Sequence, residues 1–256
     1  MTEAEFGTAG EYHWTQEGGE SLTDREGSYS TDNIRVVETP FGRHEYGTIN
    51  LNYRQKEFYN PLGWQDPTDQ KSTAKYLFSG DILILYNDKE ILEIFSDLPG
   101  TNSPLYSESY EVTASSELTE QLSSGPITYS ASNITPDVSL SDFWAEGETG
   151  KGEGSTLSIR PSYEWDFLVK RVIIFNGVYR RADLFEKNAR PEEIELSSPG
   201  QESLVFTLPD EREPVILPVG PWDWNRGIEI SVKSVYPGTS WEDMCLSSLL
   251  VLWEEE

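Results

Sequence analysis

From residue 127 to residue 253 the chain is a succession of short apolar segments broken by Gly and Pro turns. Each segment has the period of a strand. "STLSIR" sets Leu157 and Ile159 on one face, "SLVFTL" sets Leu204, Phe206 and Leu208 on one face, and "GIEISVKSV" alternates Ile228, Ile230 and Val232 against Glu229, Ser231 and Lys233. In "EEIEL", Ile194 and Leu196 point one way. "LVKRVIIF" is almost continuously apolar, as a strand covered on both faces would be. No helical period intervenes, and strands do not alternate with helices. A parallel α/β fold is therefore excluded, and an all-β sandwich is expected.

The first half carries the same signal more faintly. "GTINLNYR" alternates Ile49, Leu51 and Tyr53 against Thr48, Asn50 and Asn52. "KYLFSGDILILYNDKEILEIF" reads as a three-stranded meander with turns at Ser-Gly-Asp and Asn-Asp. Residues 1–30 are rich in Gly, Glu, Ser and Thr and lack a sustained period, so they read as a flexible arm. Residues 113–126 are rich in Ser, Thr and Glu and read as a linker. The expected order is an arm (1–30), a small β domain of open role (31–112), the linker (113–126) and a jelly-roll sandwich (127–256).

Composition narrows the partners. Lys and Arg number 19 against 45 Asp and Glu, a net charge of −26. Long-range repulsion then opposes nucleic-acid backbones and anionic lipid. No apolar run approaches the roughly 18 residues of a membrane span. The single cysteine, Cys245, excludes an internal disulfide and cysteine-rich zinc sites. The two histidines, His13 and His44, have no companions at metal-ligand or catalytic spacing. "GETGKGEG" lacks the Gly-Lys-Ser/Thr of a phosphate loop and precedes a strand. No catalytic constellation appears, and the chain is not expected to be an enzyme.

Four blocks in the second half bear a resemblance in the right order: "ITYSASNI", "FWAEGETGKGEGSTLSI", "VIIFNGVYRRADLFEKNARPEEIEL" and "IEISVKSVYPGTSWEDMCLSSL". Together they resemble the NADase-type glycan-binding domain, a galactose-binding, discoidin-like jelly roll similar to the translocation domain of streptococcal NAD glycohydrolase. The resemblance implies a non-catalytic module of bacterial extracytoplasmic or surface proteins, with a glycan or polysaccharide as ligand. Nothing in the chain resembles an NAD-cleaving domain. "FNGVY" and "PDVSLSDFW" depart from the family's usual pattern in the first loops. The expected compartment is extracytoplasmic if a leader peptide preceded Met1, and cytoplasmic otherwise.

Twelve residues are candidates for ligand contact, each with a structural alternative. Trp144 offers a flat apolar plate for a sugar's C–H face and Glu146 a carboxylate for its hydroxyls. Alternatively, Trp144 plugs one end of the core. Asn176, Tyr179, Arg180, Arg181, Lys187 and Asn188 form a polar connection suited to polyol recognition, and its Arg residues suit an acidic sugar. The alternative is loop stabilisation, with nearby Arg190 pairing with an acid such as Glu146 or Asp243. Trp222 and Trp224 in "PWDWNRG" read as a sugar platform or as a turn between strands. Trp241 and Asp243 read as a loop tip facing sugar. Asp243 would otherwise anchor the last strand or ligate a structural Ca²⁺. Cys245 begins an apolar strand and reads as buried and inert. Two other classes of function remain: a structural or interaction subunit with an envelope protein partner, and a hydrolase with its site in residues 33–112.

Overall fold

A computed structural model describes residues 2–6, 10–18, 21–59, 63–96, 110–135 and 139–255. The chain divides into two compact units, Met1–Asn87 with Leu92–Leu105, and Asp88–Ile91 with Tyr106–Glu256.

The first unit is one antiparallel sheet. Its strands are β1 (Thr2–Phe6), β2 (Glu11–Gly18), β3 (Ser21–Thr39), β4 (Gly42–Tyr59), β5 (Gly63–Trp64), β6 (Thr68–Ser79), β7 (Ile82–Tyr86) and β8 (Ile91–Ser96). The order is β1-β2-β3-β4-β6-β7-β8, with β5 added to β4. The expected meander is present as β6, β7 and β8. The expected alternation in β4 buries Ile49 and Leu51, which pack with Ala74, Tyr76 and Leu85, while Tyr53 lies half-buried against them. A bulge between Asp32 and Arg35 bends β3, and Asn33 takes φ 55° there. Asn tolerates that conformation better than most side chains.

The described parts of residues 1–30 are strands and not the flexible arm read from composition. β2 pairs with β3 from Glu11↔Ser28 to Gly18↔Ser21, and β1 adds to β2. Ladder hydrogen bonds come from the backbone, so a Gly-, Ser- and Glu-rich segment still pairs when a long hairpin presents an edge.

Glu93 on β8 is held up to about 7, chiefly by burial, with the Arg25 charge pulling the other way. A carboxyl whose folded pKa exceeds its unfolded value binds more protons in the folded state. Its contribution to stability is present below the unfolded pKa of about 4.5 and lost as pH rises through about 7. Glu93→Gln is therefore expected to flatten the pH dependence of the first unit's unfolding between pH 5 and 7. Denaturant titrations at pH 5, 6, 7 and 8 check this, and an unchanged slope contradicts it.

The second unit is a sandwich. Its strands are β9 (Tyr110–Ala114), β10 (Leu118–Leu122), β11 (Gly125–Tyr129), β12 (Trp144–Ala145), β13 (Thr156–Pro161), β14 (Phe167–Asn176), β15 (Arg190–Ser197), β16 (Leu204–Thr207), β17 (Val215–Asp223), β18 (Ile228–Tyr236) and β19 (Cys245–Glu255), with one helix, α1 (Ala182–Lys187). One sheet runs β12-β19-β14-β17 and the other β16-β15-β18-β13-β9, while β10 and β11 form a separate hairpin. Leu157, Ile194, Ile230 and Val232 of the five-stranded sheet face Trp144, Ile174 and Leu246 of the four-stranded one. "LVKRVIIF" is indeed central, since β14 pairs with both β17 and β19 and buries Val169, Val172, Ile173, Ile174 and Phe175. Each such side chain contributes about 1.5–3 kcal/mol. The Tyr110 hydroxyl donates to the Leu249 carbonyl at 2.5 Å and ties β9 to the opposite sheet.

The segment read as a linker is strand throughout much of its length. β9 buries Tyr110 and Val112 and exposes Glu111 and Thr113. β10 and β11 pair from Leu118↔Tyr129 to Leu122↔Gly125. Every position of β10 and β11 is exposed or half-buried, and Thr119, Glu120, Gln121 and Thr128 are among the exposed ones, so no buried face marks the hairpin and its composition mimics a loop. The division between units accordingly falls before Tyr106 rather than within 113–126.

Candidate functional site

The connection from β14 to β15 is built from the inside out. Gly177 follows the strand at φ 71°, and a Cβ there would stand 2.7 Å from the Phe185 ring, so only glycine fits. Val178 and Tyr179 then turn inward and are fully buried, which leaves Arg180 on the surface. Helix α1 follows. Asn188 closes it, donating both its backbone N–H (3.2 Å) and its Nδ2 (2.8 Å) to the Leu184 carbonyl.

Arg190 holds this connection from beneath. Its Nε donates to Asp210 Oδ1 at 2.5 Å, and its Nη1 donates to the carbonyls of Phe185 (3.4 Å) and Asn188 (3.2 Å). Its guanidinium lies over the rings of Phe185 (4.6 Å) and Tyr236 (5.7 Å). The expected acid partner exists, but it is Asp210 and not Glu146 or Asp243.

The loop before β19 is fastened to the last turn of α1. The Thr239 N–H donates to the Glu186 carbonyl, and the N–H groups of Ser240 and Trp241 donate to the Lys187 carbonyl. Gly238 permits this approach, because a Cβ there would lie 2.3 Å from the Lys187 oxygen. These bonds set Trp241 beside Asn188. On the other side, Glu117 Oε1 accepts from the Ser130 hydroxyl (2.8 Å) and the Ala131 N–H (2.7 Å), securing the β10–β11 hairpin.

Between the hairpin, α1 and this loop lies a cavity of about 200 Å³. Its floor is apolar: Leu118, Ala145, Leu184 and Cys245, with the Tyr129 and Phe143 rings stacked at 4.8 Å and 16°. Its rim is polar and aromatic: Glu120, Arg180, Asn188, Trp241 and Asp243. Trp241 is 44% exposed, with Lys187 Nζ 5.7 Å from its ring centre.

The charges divide in a way composition did not reveal. Arg181 and Lys187 both bind Asp183, at 2.6 and 2.8 Å, and together hold its carboxyl well below the usual range. Arg226 pairs with Asp223, and Lys233 with Glu195. Among the described residues, the guanidinium of Arg180 makes no ion pair or hydrogen bond, although the chain carries a net charge of −26. Burial, followed by the Glu120 charge, raises the Asp243 carboxyl. Tyr129 donates to Glu120 at 2.7 Å and is pushed up to about 12 by burial and then by that bond, so its proton stays in place. Burial raises the Cys245 thiol, which therefore stays protonated, and neither histidine belongs to this unit.

Of the twelve candidates, Arg180, Asn188, Trp241 and Asp243 meet at this cavity, with Lys187 against the Trp241 ring. Arg181 is turned to Asp183. The other six are buried, which removes them as ligand plates. Trp144 is fully buried and its indole N–H donates to the Ser116 carbonyl at 3.0 Å. Glu146 is 1% exposed; its Oε2 accepts the Glu148 N–H, its Oε1 has no partner, and burial raises its pKa. Asn176 donates to the Pro191 carbonyl at 2.8 Å. Tyr179 packs edge-on to Phe175. Trp222, next to last in β17, is buried, while Trp224 begins a 3₁₀ turn and packs against Tyr110. With both indoles buried, the segment is a turn between strands and not a sugar platform.

Leu118, Glu120, Tyr129 and Phe143 were missed. The alternation of Leu118, Glu120 and Leu122 before a Ser-Gly turn was the available hairpin signal. Among the described residues, no three His, Cys, Asp or Glu side chains gather as a metal site. No described helix is long and apolar enough to cross a membrane.

No curated protein matches the chain. Among solved structures it is similar to a family 32 carbohydrate-binding module from Clostridium perfringens NanJ in complex with galactose, at 16% identity and a TM-score of 0.41 over 57% of this chain and 93% of that one. It is also similar to a putative chitobiase fragment from Bacteroides thetaiotaomicron, at 15% identity and a TM-score of 0.43 over 62% of this chain and 97% of that one. The family model described as the NAD glycohydrolase translocation F5/8 type C domain matches residues 105–252. That span is more than half of the chain and contains every β-strand of the sandwich up to the last residues of β19, in agreement with the resemblance carried by the four sequence blocks, so the chain belongs to the NAD glycohydrolase translocation F5/8 type C domain family.

Proposed function

We propose that the sandwich is a non-catalytic carbohydrate-binding module that holds a sugar ring in the cavity between the β10–β11 hairpin, α1 and the 237–244 loop. The observation that carries this reading is the pairing of an exposed indole, Trp241, with a guanidinium free of partners, Arg180, and a carboxylate, Asp243, around an apolar floor. A pyranose has one C–H face that suits the indole, and hydroxyls that accept from Arg180 and donate to Asp243. The resemblance to glycan-binding modules points the same way. The ligand is a glycan or polysaccharide, met in an extracytoplasmic compartment.

The test is a glycan array probed with the whole chain, followed by titration of the best responder. Trp241→Ala is expected to lower its affinity about three- to tenfold, the value of an aromatic contact of about 0.5–1.5 kcal/mol, with no change in thermal midpoint. An array without a responder, or a responder indifferent to Trp241→Ala, removes the reading. Specific co-purification with an envelope protein, lost in the same variant, would favour the interaction subunit in its place.

A further inference from the structure

Beyond the end of β14 away from the cavity, three aromatic rings lie one upon another. Trp165 is parallel to Phe167 (centroids 5.4 Å apart, 9° between planes), and Phe167 to Trp253 (5.1 Å, 19°). Trp253 pairs across the sheet with Val169, which is fully buried, so the stack begins at the edge of the core and runs outward. Its last ring, Trp165, is 48% exposed. Among the described residues, Phe167 is the one ring stacked on Trp165, and about half of the Trp165 side chain stays exposed beside that contact.

Single exposed aromatics are ordinary. This one is held in place. Asn225 accepts the Trp165 backbone N–H through Oδ1 (2.9 Å) and donates to its carbonyl through Nδ2 (2.8 Å). The Asn225 N–H is bound to Asp223 Oδ1, and Asp223 Oδ2 is bound by Arg226. An exposed indole with a clamped backbone and a stacked underside loses little freedom when a ligand lies on it, which is the condition for an efficient plate.

The surroundings select the ligand. Glu164 and Asp166 flank Trp165 and are exposed, and the cation nearby, Arg226, is paired with Asp223. With a net charge of −26, this disfavours phosphates and anionic lipid. A quaternary ammonium is recognised by rings that converge around it, whereas these rings are parallel and offer one flat face. A neutral polyhydroxylated ring fits: its C–H face on the indole, its hydroxyls donating to the flanking carboxylates. We propose that the Trp165–Phe167–Trp253 stack is a second carbohydrate-contact surface, taking one ring of a neutral polysaccharide. Trp165 precedes β14 and Arg180 follows it, and ten extended residues span about 30 Å, so the two surfaces are separate and the unit is divalent. Two weak contacts on one polymer raise its retention well beyond either alone.

The test follows indole N–H resonances in the whole chain during titration with cellohexaose, chitohexaose, mannohexaose and galactan oligosaccharides, the Trp165 signal being assigned by its loss in Trp165→Ala. The expected result is a Trp165 shift with at least one oligosaccharide, retained in Trp241→Ala. In the Trp241→Ala background, affinity for that oligosaccharide measured by calorimetry is expected to fall about fivefold or more on adding Trp165→Ala, and less on adding Trp165→Phe, which keeps a plate. No Trp165 shift with any of the four, a shift lost in Trp241→Ala, or a shift with choline alone each overturns the second surface. A Trp241 shift without a Trp165 shift leaves the cavity standing and removes only this proposal. Unchanged circular dichroism in Trp165→Phe separates loss of contact from loss of fold.

Discussion

Trp144→Ala is expected to destabilise the sandwich by about 3–5 kcal/mol, the range for deleting a large aromatic from a packed core. Trp144 is fully buried on β12, faces Leu157, Ile230 and Val232 across the sheets, and donates its indole N–H to the Ser116 carbonyl. The substitution removes the apolar burial, leaves a cavity that the two sheets cannot close, and orphans a carbonyl. In a domain of this size the thermal midpoint should fall by roughly 6–20 °C. Trp144→Phe, which keeps much of the volume but not the hydrogen bond, should lose less. Urea unfolding followed by circular dichroism measures both. A loss under about 1 kcal/mol, or a stable variant that fails to bind glycan, would return Trp144 to the role of ligand plate.

Arg180→Ala is expected to lower glycan affinity about 10- to 100-fold, because hydrogen bonds from a charged donor contribute about 1.5–3 kcal/mol. Its stability should change by no more than about 0.5 kcal/mol, since the guanidinium is exposed and makes no ion pair. Arg181→Ala is the internal contrast. It removes a partner of Asp183 on the surface and should leave affinity within about twofold. Arg180→Lys keeps the charge but loses the planar fork, and its affinity should fall between wild type and Arg180→Ala. Calorimetry or fluorescence titration of the array's best responder provides the measurement. Equal effects of Arg180→Ala and Arg181→Ala would mean that general charge and not contact is responsible.

Much of the sandwich was legible because strand faces follow a local rule. Leu157 with Ile159, Ile194 with Leu196, and Ile228 with Ile230 and Val232 all point inward as their alternation predicts. The rule failed where a hairpin buries neither face, as in β10 and β11, whose positions are exposed or half-buried throughout. The cavity suffered for the same reason. Four of its residues were candidates, but Leu118 and Glu120 fall in the segment that reads as a linker, and only the pairing of β10 with β11 sets Tyr129 beside them.

The amino-acid sequence by itself determined the all-β class, the inward face of most strands and, through the four blocks from residue 127 onward, the family. Only the tertiary structure decided which cation stands free. Arg180, Arg181, Lys187 and Arg190 lie within eleven consecutive positions and share one chemistry, yet two close on Asp183, one on Asp210 and one on nothing. Alternation is a property of neighbouring residues and can be read along the chain. An ion pair or a cavity depends on which distant segments the sheet register and loop anchors bring together, and Leu118, Tyr129, Arg180 and Trp241 meet only after four separate stretches have packed.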